Sequence, residues 1–389
     1  LSQNFSDRTP PRKKPRQYSA FNIDGLISRL EGKKCVDVAE ILENTSRQIA
    51  PRGAITLNGT PSEKRVARNF LTEKVNEWTS VYCSDLKAYQ QPQIPSCFLA
   101  VYSRLQLLPP SPVLMALTQQ IEFHMKRLDA NEISGIPGYF ANLGVYPGNE
   151  FMSNWWESAK PVSGKWDLKD TYRIIYQLAI LDCIAKQEGQ ANTPCYDIVL
   201  PIMNIIDTRA DHFFPEFIDS QIYYAAKWFK FDFIEGRKIQ TSAEKISEAE
   251  KSLAQGLKNK GLTVLDDHVL TGTQHRFDLV VAFNRNSIGI EVDGPFHFVQ
   301  DTENNCIRYD GSTRFHTALI EMMMGDDFRV LRIPFPQLER ANSIENIQQT
   351  LRHLNGFPKE SVYIMRGAKS VIRTDKSESW VVPHPTLHR

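Results

Sequence analysis

Apolar residues recur at steps of three and four through the first 230 or so positions and at alternate positions in the next stretch, so the chain reads as helices first and strands with helices after. In the helical region, from about Leu26 to Phe233, Leu114, Leu117, Ile121, Met125 and Leu128 mark one face of one helix. Ser111-Pro112 is expected to start it, a capping side chain followed by a proline whose missing N–H is no loss in a first turn. Asp129 and Glu132 have the spacing of a reciprocal cap and open the next helix. Asp167 stands in the same way ahead of Leu168 and Tyr172.

A repeat runs through this region. Ala100-Val101-Tyr102-Ser103-Arg104-Leu105-Gln106-Leu107-Leu108-Pro109 is matched by Gly138-Tyr139-Phe140-Ala141-Asn142-Leu143-Gly144-Val145-Tyr146-Pro147, and the segment Arg173 to Leu181 matches again. The offsets, roughly 35 to 38 positions, lie in the range of helical-hairpin repeats. Two helices per unit at this period point to an α-solenoid, in which each helical hairpin covers its neighbour's apolar face. An irregular helical bundle with coincidentally similar helices is the alternative. A solenoid offers a surface for a peptide or a nucleic-acid strand, and Tyr102, Tyr139, Trp155, Trp156, Tyr172 and Trp228 are the aromatics available for stacking on bases; core packing is the competing role for each.

The pattern breaks at Glu235-Gly236 to about Ser242, where a domain boundary is placed. Beyond it the spacing predicts a helix over Ser247–Lys258, a strand near Leu262–Leu265, and strands over Arg276–Phe283 and Ser287–Asp293 flanking the turn signal Asn284-Arg285-Asn286. A helix over about Ser312–Met324 and a strand over Phe328–Ile333 follow, which makes a small α/β sheet. The tail, about Asn355 to Arg389, carries further strand signals at Val362–Met365 and Trp380–Val382. The expected domains are thus 1–24, 25–236, 243–355 and 356–389.

Composition narrows the classes. With 389 residues, two domains are expected, and 41% hydrophobic and 23% charged content is that of a globular chain. A formal net charge of +1 excludes a uniformly basic polyanion binder, so nucleic-acid contact has to come from local patches. One such patch is the opening stretch, where Arg12, Lys13, Lys14 and Arg16 cluster. It reads as a solvated tail, a nuclear-import signal, an RNA-touching arm or the remnant of an organelle-targeting region. A chain starting at Leu1 rather than methionine is expected to be processed or truncated. Six scattered cysteines without a C-x-x-C pair argue against a zinc ribbon or a disulfide scaffold and fit a reducing compartment. No apolar run approaches the roughly 20 residues of a membrane span, so a soluble chain is expected.

Acids embedded in apolar strands are the candidate chemistry. A desolvated carboxylate needs a cation, a metal or a proton. Glu291 and Asp293, two apart, share a face of their strand; Asp278 joins them if the hairpin loop has an even number of residues and falls on the opposite face if it has three. Two or three converging carboxylates would hold Mg²⁺ through oxygen ligands, with Asp278 and Glu291 foremost, and the ion would activate water at a phosphodiester. Glu250 is a candidate fourth acid. Gly294-Pro295 ends the strand and returns His297 as a general acid or base. Arg314 and His316 on the next helix are placed to face a phosphate. Solvated acids on an edge hairpin and a structural histidine are the alternative.

Ile290-Glu291-Val292-Asp293-Gly294-Pro295-Phe296-His297-Phe298 closely resembles the central motif of RAP domains. The preceding strand with Asp278, the Gly311-Ser312-Thr313 helix start and Val330-Leu331-Arg332-Ile333-Pro334-Phe335 match in order, over roughly residues 245 to 340. The resemblance implies a restriction-endonuclease-like α/β domain of the PD-(D/E)XK type behind helical repeats of the length seen above. It implies a protein of organellar RNA metabolism or the mitochondrial ribosome, with RNA and ribosomal proteins as partners, and Arg332 among its RNA-contacting residues. Asp293 stands where that superfamily's catalytic lysine is expected, and the helix after Gly311 is poorer in basic residues than is usual there. Three functions follow: an RNA-binding protein without a required cofactor, a Mg²⁺-dependent endonuclease, or a structural ribosomal subunit. The resemblance favours the mitochondrion, while the basic tail is compatible with the nucleus.

Overall fold

The structure, a computed structural model, describes residues 23–49, 61–87, 90–209, 217–218, 220–231, 238–239, 247–265, 275–283, 286–304, 306–323, 328–354, 356–357, 361–367, 370–374 and 380–383. The basic cluster Arg12, Lys13, Lys14 and Arg16 and the expected boundary at Glu235-Gly236 lie outside the described residues.

The helical region contains α1 (Ile23–Leu30), α2 (Cys35–Ile49), α3 (Pro61–Ser84), α4 (Gln93–Leu105), the short strand β1 (Leu107–Leu108), α5 (Ser111–His124), α6 (Ala130–Leu143), α7 (Asn149–Ala159), α8 (Leu168–Gln187) and α9 (Cys195–Arg209). The short strand β2 (Phe217–Ile218), α10 (Ser220–Phe229) and β3 (Lys238–Ile239), which pairs in parallel with β2, complete it. Alternate helices lie side by side: α2 packs on α4, α4 on α6, α6 on α8 and α8 on α10, while α3 touches α5 and α5 touches α7 in a second row.

The matched segments fall at the ends of α4 and α6 and within α8. Gln106 and Gly144, at equivalent places in the match, both end their helices in the left-handed conformation, at φ 52° and 68°. Each cap donates its N–H to the carbonyls three and four residues back, Ser103 and Tyr102 in one helix, Ala141 and Phe140 in the other.

The start signals divide. Asp129 and Glu132 form the reciprocal cap of α6, and Asp167 accepts the Asp170 N–H. Ser111, expected as a cap, is already helical behind Pro110, and both its N–H and its hydroxyl go to Glu303. Of the six aromatics considered for stacking, Tyr102, Trp155 and Trp156 are buried and the other three are half-buried, so core packing wins. Trp155 and Trp166 stack on each other, and each indole N–H is spent on a carbonyl, Ile133 and Ala130 respectively.

The α/β region begins with α11 (Glu248–Asn259), capped by Ser247, and continues through β4 (Thr263–Leu265), β5 (Leu279–Phe283), β6 (Asn286–Asp293), β7 (Phe298–Asp301), β8 (Cys306–Tyr309), α12 (Gly311–Met323), β9 (Phe328–Pro334), α13 (Phe335–Leu338), α14 (Ser343–Leu354), β10 (Ser361–Gly367), β11 (Ser370–Arg373) and β12 (Val381–Pro383). Six strands form a mixed sheet in the order β11-β10-β9-β6-β5-β4, with β10, β9 and β6 parallel. Leu279, Val281, Ile288, Ile290, Leu331 and Ile333 meet α11 and α14 on one face; Val280, Val330 and Val362 meet Ile320 of α12 on the other. The fold is therefore α plus α/β. The tail after residue 355 contributes to this sheet, because β10 pairs with β9 in the register Tyr363↔Leu331.

One apolar cluster spans the two regions. Val299, Phe315 and Leu319 belong to the same apolar cluster as α6, α8 and α10, and α12 lies on α6, α8 and α10. β1 pairs in parallel with β7, so the helical region supplies the edge of a second sheet, β1-β7-β8-β12. Gly311 sits so tightly against α6 that a Cβ there would run into the Ala141 carbonyl oxygen. That approach explains the glycine at the start of α12. No helix among the described residues is long and apolar enough to cross a membrane.

Candidate functional site

The hairpin settles the parity of the acids. Phe283 pairs with Asn286 and Leu279 with Ile290, so two residues connect the strands and Asp278 falls opposite Glu291. Glu291 in turn pairs with Arg332 on β9, and Asp293 follows two residues along on the same face. Asp278, Glu291, Asp293 and Arg332 thus project from the α12 side of the sheet, beyond the apolar band of Val280 and Val330.

Asp293 is fully enclosed. Arg332 Nε donates to its Oδ2 at 3.0 Å and Nη2 to its Oδ1, while the Tyr309 hydroxyl donates to Oδ2 at 2.9 Å. The side chains of Arg332 and Asp293 are 3% and 1% exposed. Burial is the largest influence on Arg332, but Asp293 and Glu291 outweigh it and hold the guanidinium charged. His297 stands at the rim, with Nδ1 3.0 Å from Thr313 Oγ1 and 3.7 Å from Asp293 Oδ1. Its backbone is fixed by donation to the Gly294 carbonyl and acceptance from Asp310 N–H.

Glu291 and Asp278 have opposite protonation tendencies. Burial favours the neutral form of Glu291, but the His275 hydrogen bond and charge, with Arg332 and His297, outweigh it and hold the carboxyl below its usual range. His275 Nε2 lies 3.0 Å from Glu291 Oε1. Asp278 is pushed up to about 8, first by burial and then by the Glu291 charge, against the Val292 N–H that donates to its Oδ2 at 2.7 Å. Glu250, half-buried in the first turn of α11, adds to that upward push through space. Burial and neighbours thus push the proton affinities of the two adjacent carboxyls apart.

Three expected RNA-contacting residues are corrected by their surroundings. Arg314 is buried and donates to the Gly144 carbonyl at 3.0 Å and to Gln187 Oε1 at 2.9 Å, tying α12 to the helical region. His316 meets the Tyr176 hydroxyl at 2.9 Å, and burial pushes it down to about 3, so it is neutral at ordinary pH. Arg332 is consumed by Asp293. Arg314 and Arg332 are buried, so neither presents its guanidinium to a phosphate at the surface.

The expected Mg²⁺ set does not fit this arrangement. Among the described residues no group of three or more His, Cys, Asp or Glu is placed to hold a metal ion. Both oxygens of Asp293 face donors of the chain, Glu291 faces His275, and Asp278 favours its proton near neutrality, whereas Mg²⁺ requires several free oxygen ligands. His275 and Tyr309 complete the cluster without having been expected in it. His275 precedes the regular alternation of β5, and Tyr309 comes from β8, so no spacing rule links either to Glu291 or Asp293. No protein-family model matches the chain, and no curated protein matches it.

Proposed function

We propose that the protein binds single-stranded RNA, with an α-solenoid in its helical region and a RAP-like, restriction-endonuclease-like domain in its α/β region acting as one body. The observation that carries this reading is that α4 and α6 end in left-handed caps at positions matched in the sequence, and that α4, α6 and α8 pack side by side. Both cap carbonyls also receive donors from the α/β region, Gln106 from Gln300 N–H and Gly144 from Arg314. The side of α6, α8 and α10 that carries α12 is covered, so RNA would run over the uncovered helices and the seam near Phe296 and His297, whose side chains reach solvent. With a net charge of only +1, phosphate contacts have to come from local basic groups, the Arg12 to Arg16 cluster among them. A role in organellar RNA metabolism, or on a mitochondrial ribosome, is the setting this reading implies.

A metal-dependent endonuclease draws less support, because the acids face donors of the chain itself. Fluorescence anisotropy with a labelled single-stranded RNA tests the RNA reading. The affinity is expected to fall steeply between about 50 and 200 mM salt, with a log–log slope of about 0.7 per phosphate contacted. A flat salt response, or no binding at low salt, overturns it.

A further inference from the structure

We infer that the surface where α9 begins and α10 ends takes one nucleotide of a single-stranded RNA, with Tyr196 stacking on the base and Lys230 meeting a phosphate; this site rests on the RNA reading above. α6, α8 and α11 close in one way, with the amide after a left-handed residue donating five residues back: Val145 to Phe140, Gln190 to Ala185 and Leu262 to Leu257. In all three the left-handed residue is a glycine, Gly144, Gly189 or Gly261. α10 closes identically, with the Phe231 N–H on the Ala226 carbonyl at 2.9 Å, yet its left-handed residue is Lys230, at φ 60°. A side chain with a Cβ is strained there. The other described non-glycine residues at positive φ have a local reason. Gln106 donates its amide to the Phe296 carbonyl, and Asn342 is of a type that tolerates the conformation. Lys230 is exposed, and its side chain has no hydrogen bond or ion pair among the described residues. Nothing inside the chain offsets its strain, so its use lies outside.

An aromatic platform stands beside it. Phe229 and Phe231, on either side of Lys230, both touch Tyr196, with ring centroids 6.0 Å apart in each case, and the Phe231 and Tyr196 rings are stacked at 22°. Tyr196 is nevertheless 44% exposed. A ring held by two aromatics that still meets water is placed to extend its stack by a base. α12 lies on a different side of α10: Tyr224 and Trp228 meet His316 and Phe315, while Phe229, next round the helix, meets Tyr196. Lys227 adds a second cation at the same helix end, with Nζ 5.7 Å from the Tyr223 ring. The buried Asp182 is taken up by Trp228 Nε1 and Lys186 Nζ, each at 2.7 Å. Asp197, exposed in the first turn of α9, offsets one of the two lysines and not both.

The test is fluorescence anisotropy of the full chain with a labelled oligouridylate and with an abasic ribose-phosphate strand of the same length. Wild type is expected to favour the oligouridylate. Tyr196→Ala is expected to lose at least about fivefold in affinity for it and little for the abasic strand, while Tyr196→Phe binds as wild type does. Lys230→Gly, which relieves the left-handed strain, is expected to lower the salt slope by about 0.7, with a thermal midpoint no lower than wild type. Weaker binding at undiminished stability is not what a merely structural lysine would give. A folded Tyr196→Ala or a Lys230→Gly that binds as wild type does overturns the inference and leaves the RNA reading standing. Equal wild-type binding of the two strands overturns it as well. If Tyr196→Ala fails to fold by circular dichroism, Lys230→Gly decides alone. No wild-type binding of either strand is the failure of the RNA reading, and this site falls with it.

Discussion

Asp293 and Arg332 are the most exacting pair in the site, because each is almost wholly enclosed and each is the other's counter-charge. Asp293→Asn keeps the shape and leaves the guanidinium buried without compensation. We expect a loss of about 3–5 kcal/mol in chemical denaturation, a much larger effect than neutralising the exposed pair Lys251–Glu248 would have. Asp278 gives a second test with a definite sign. Folded, it keeps its proton up to about pH 8; unfolded, it releases it near pH 4. The folded chain therefore holds the extra proton between those values, and this group's contribution is complete at acid pH and declines as pH rises toward 8. Asp278→Asn is expected to flatten that decline, with a melting midpoint above wild type at pH 8 and no such advantage at pH 4. Glu291 acts in the opposite direction, its contribution being lost as pH falls below the ordinary carboxylate range.

At the level of elements, caps and register decide what forms. The reciprocal bonds of Asp129 and Glu132 satisfy two amides at the start of α6, so Asp129→Ala is expected to cost about 1 kcal/mol in thermal or denaturant unfolding. This cap, the Asp167 cap and strand β6 are legible from spacing, because each is written within a few residues. The acid cluster is legible only up to its parity, since the turn signal Asn284-Arg285-Asn286 leaves open whether Asp278 shares the face; the pairing of Phe283 with Asn286 decides it. Arg314 and His316 are misplaced by spacing for a different reason. Periodicity gives the face of a helix but not what lies across from it, and α12 faces α8 rather than solvent.

For the whole molecule, the change of pattern near residue 240 marks a change of secondary structure, and one apolar cluster crosses it. Phe315 and Leu319 pack with α8, and β1 supplies an edge to the sheet of β7, β8 and β12. Contacts between residues such as Ala141 and Gly311 leave no trace in local alternation, so the packing of α12 on α6 is not legible in the sequence. We expect one cooperative unfolding transition in calorimetry and no separate folded product from residues 25–236 alone. Gly311→Ala, which forces a methyl into the Ala141 carbonyl, should lower the midpoint of that single transition and not split it. The seating of α12 on α6, α8 and α10 also has a consequence. A helix pair inserted between α6 and α8 would pull apart the two walls that hold Gly311. Lengthening of this row is therefore barred between α6 and α8.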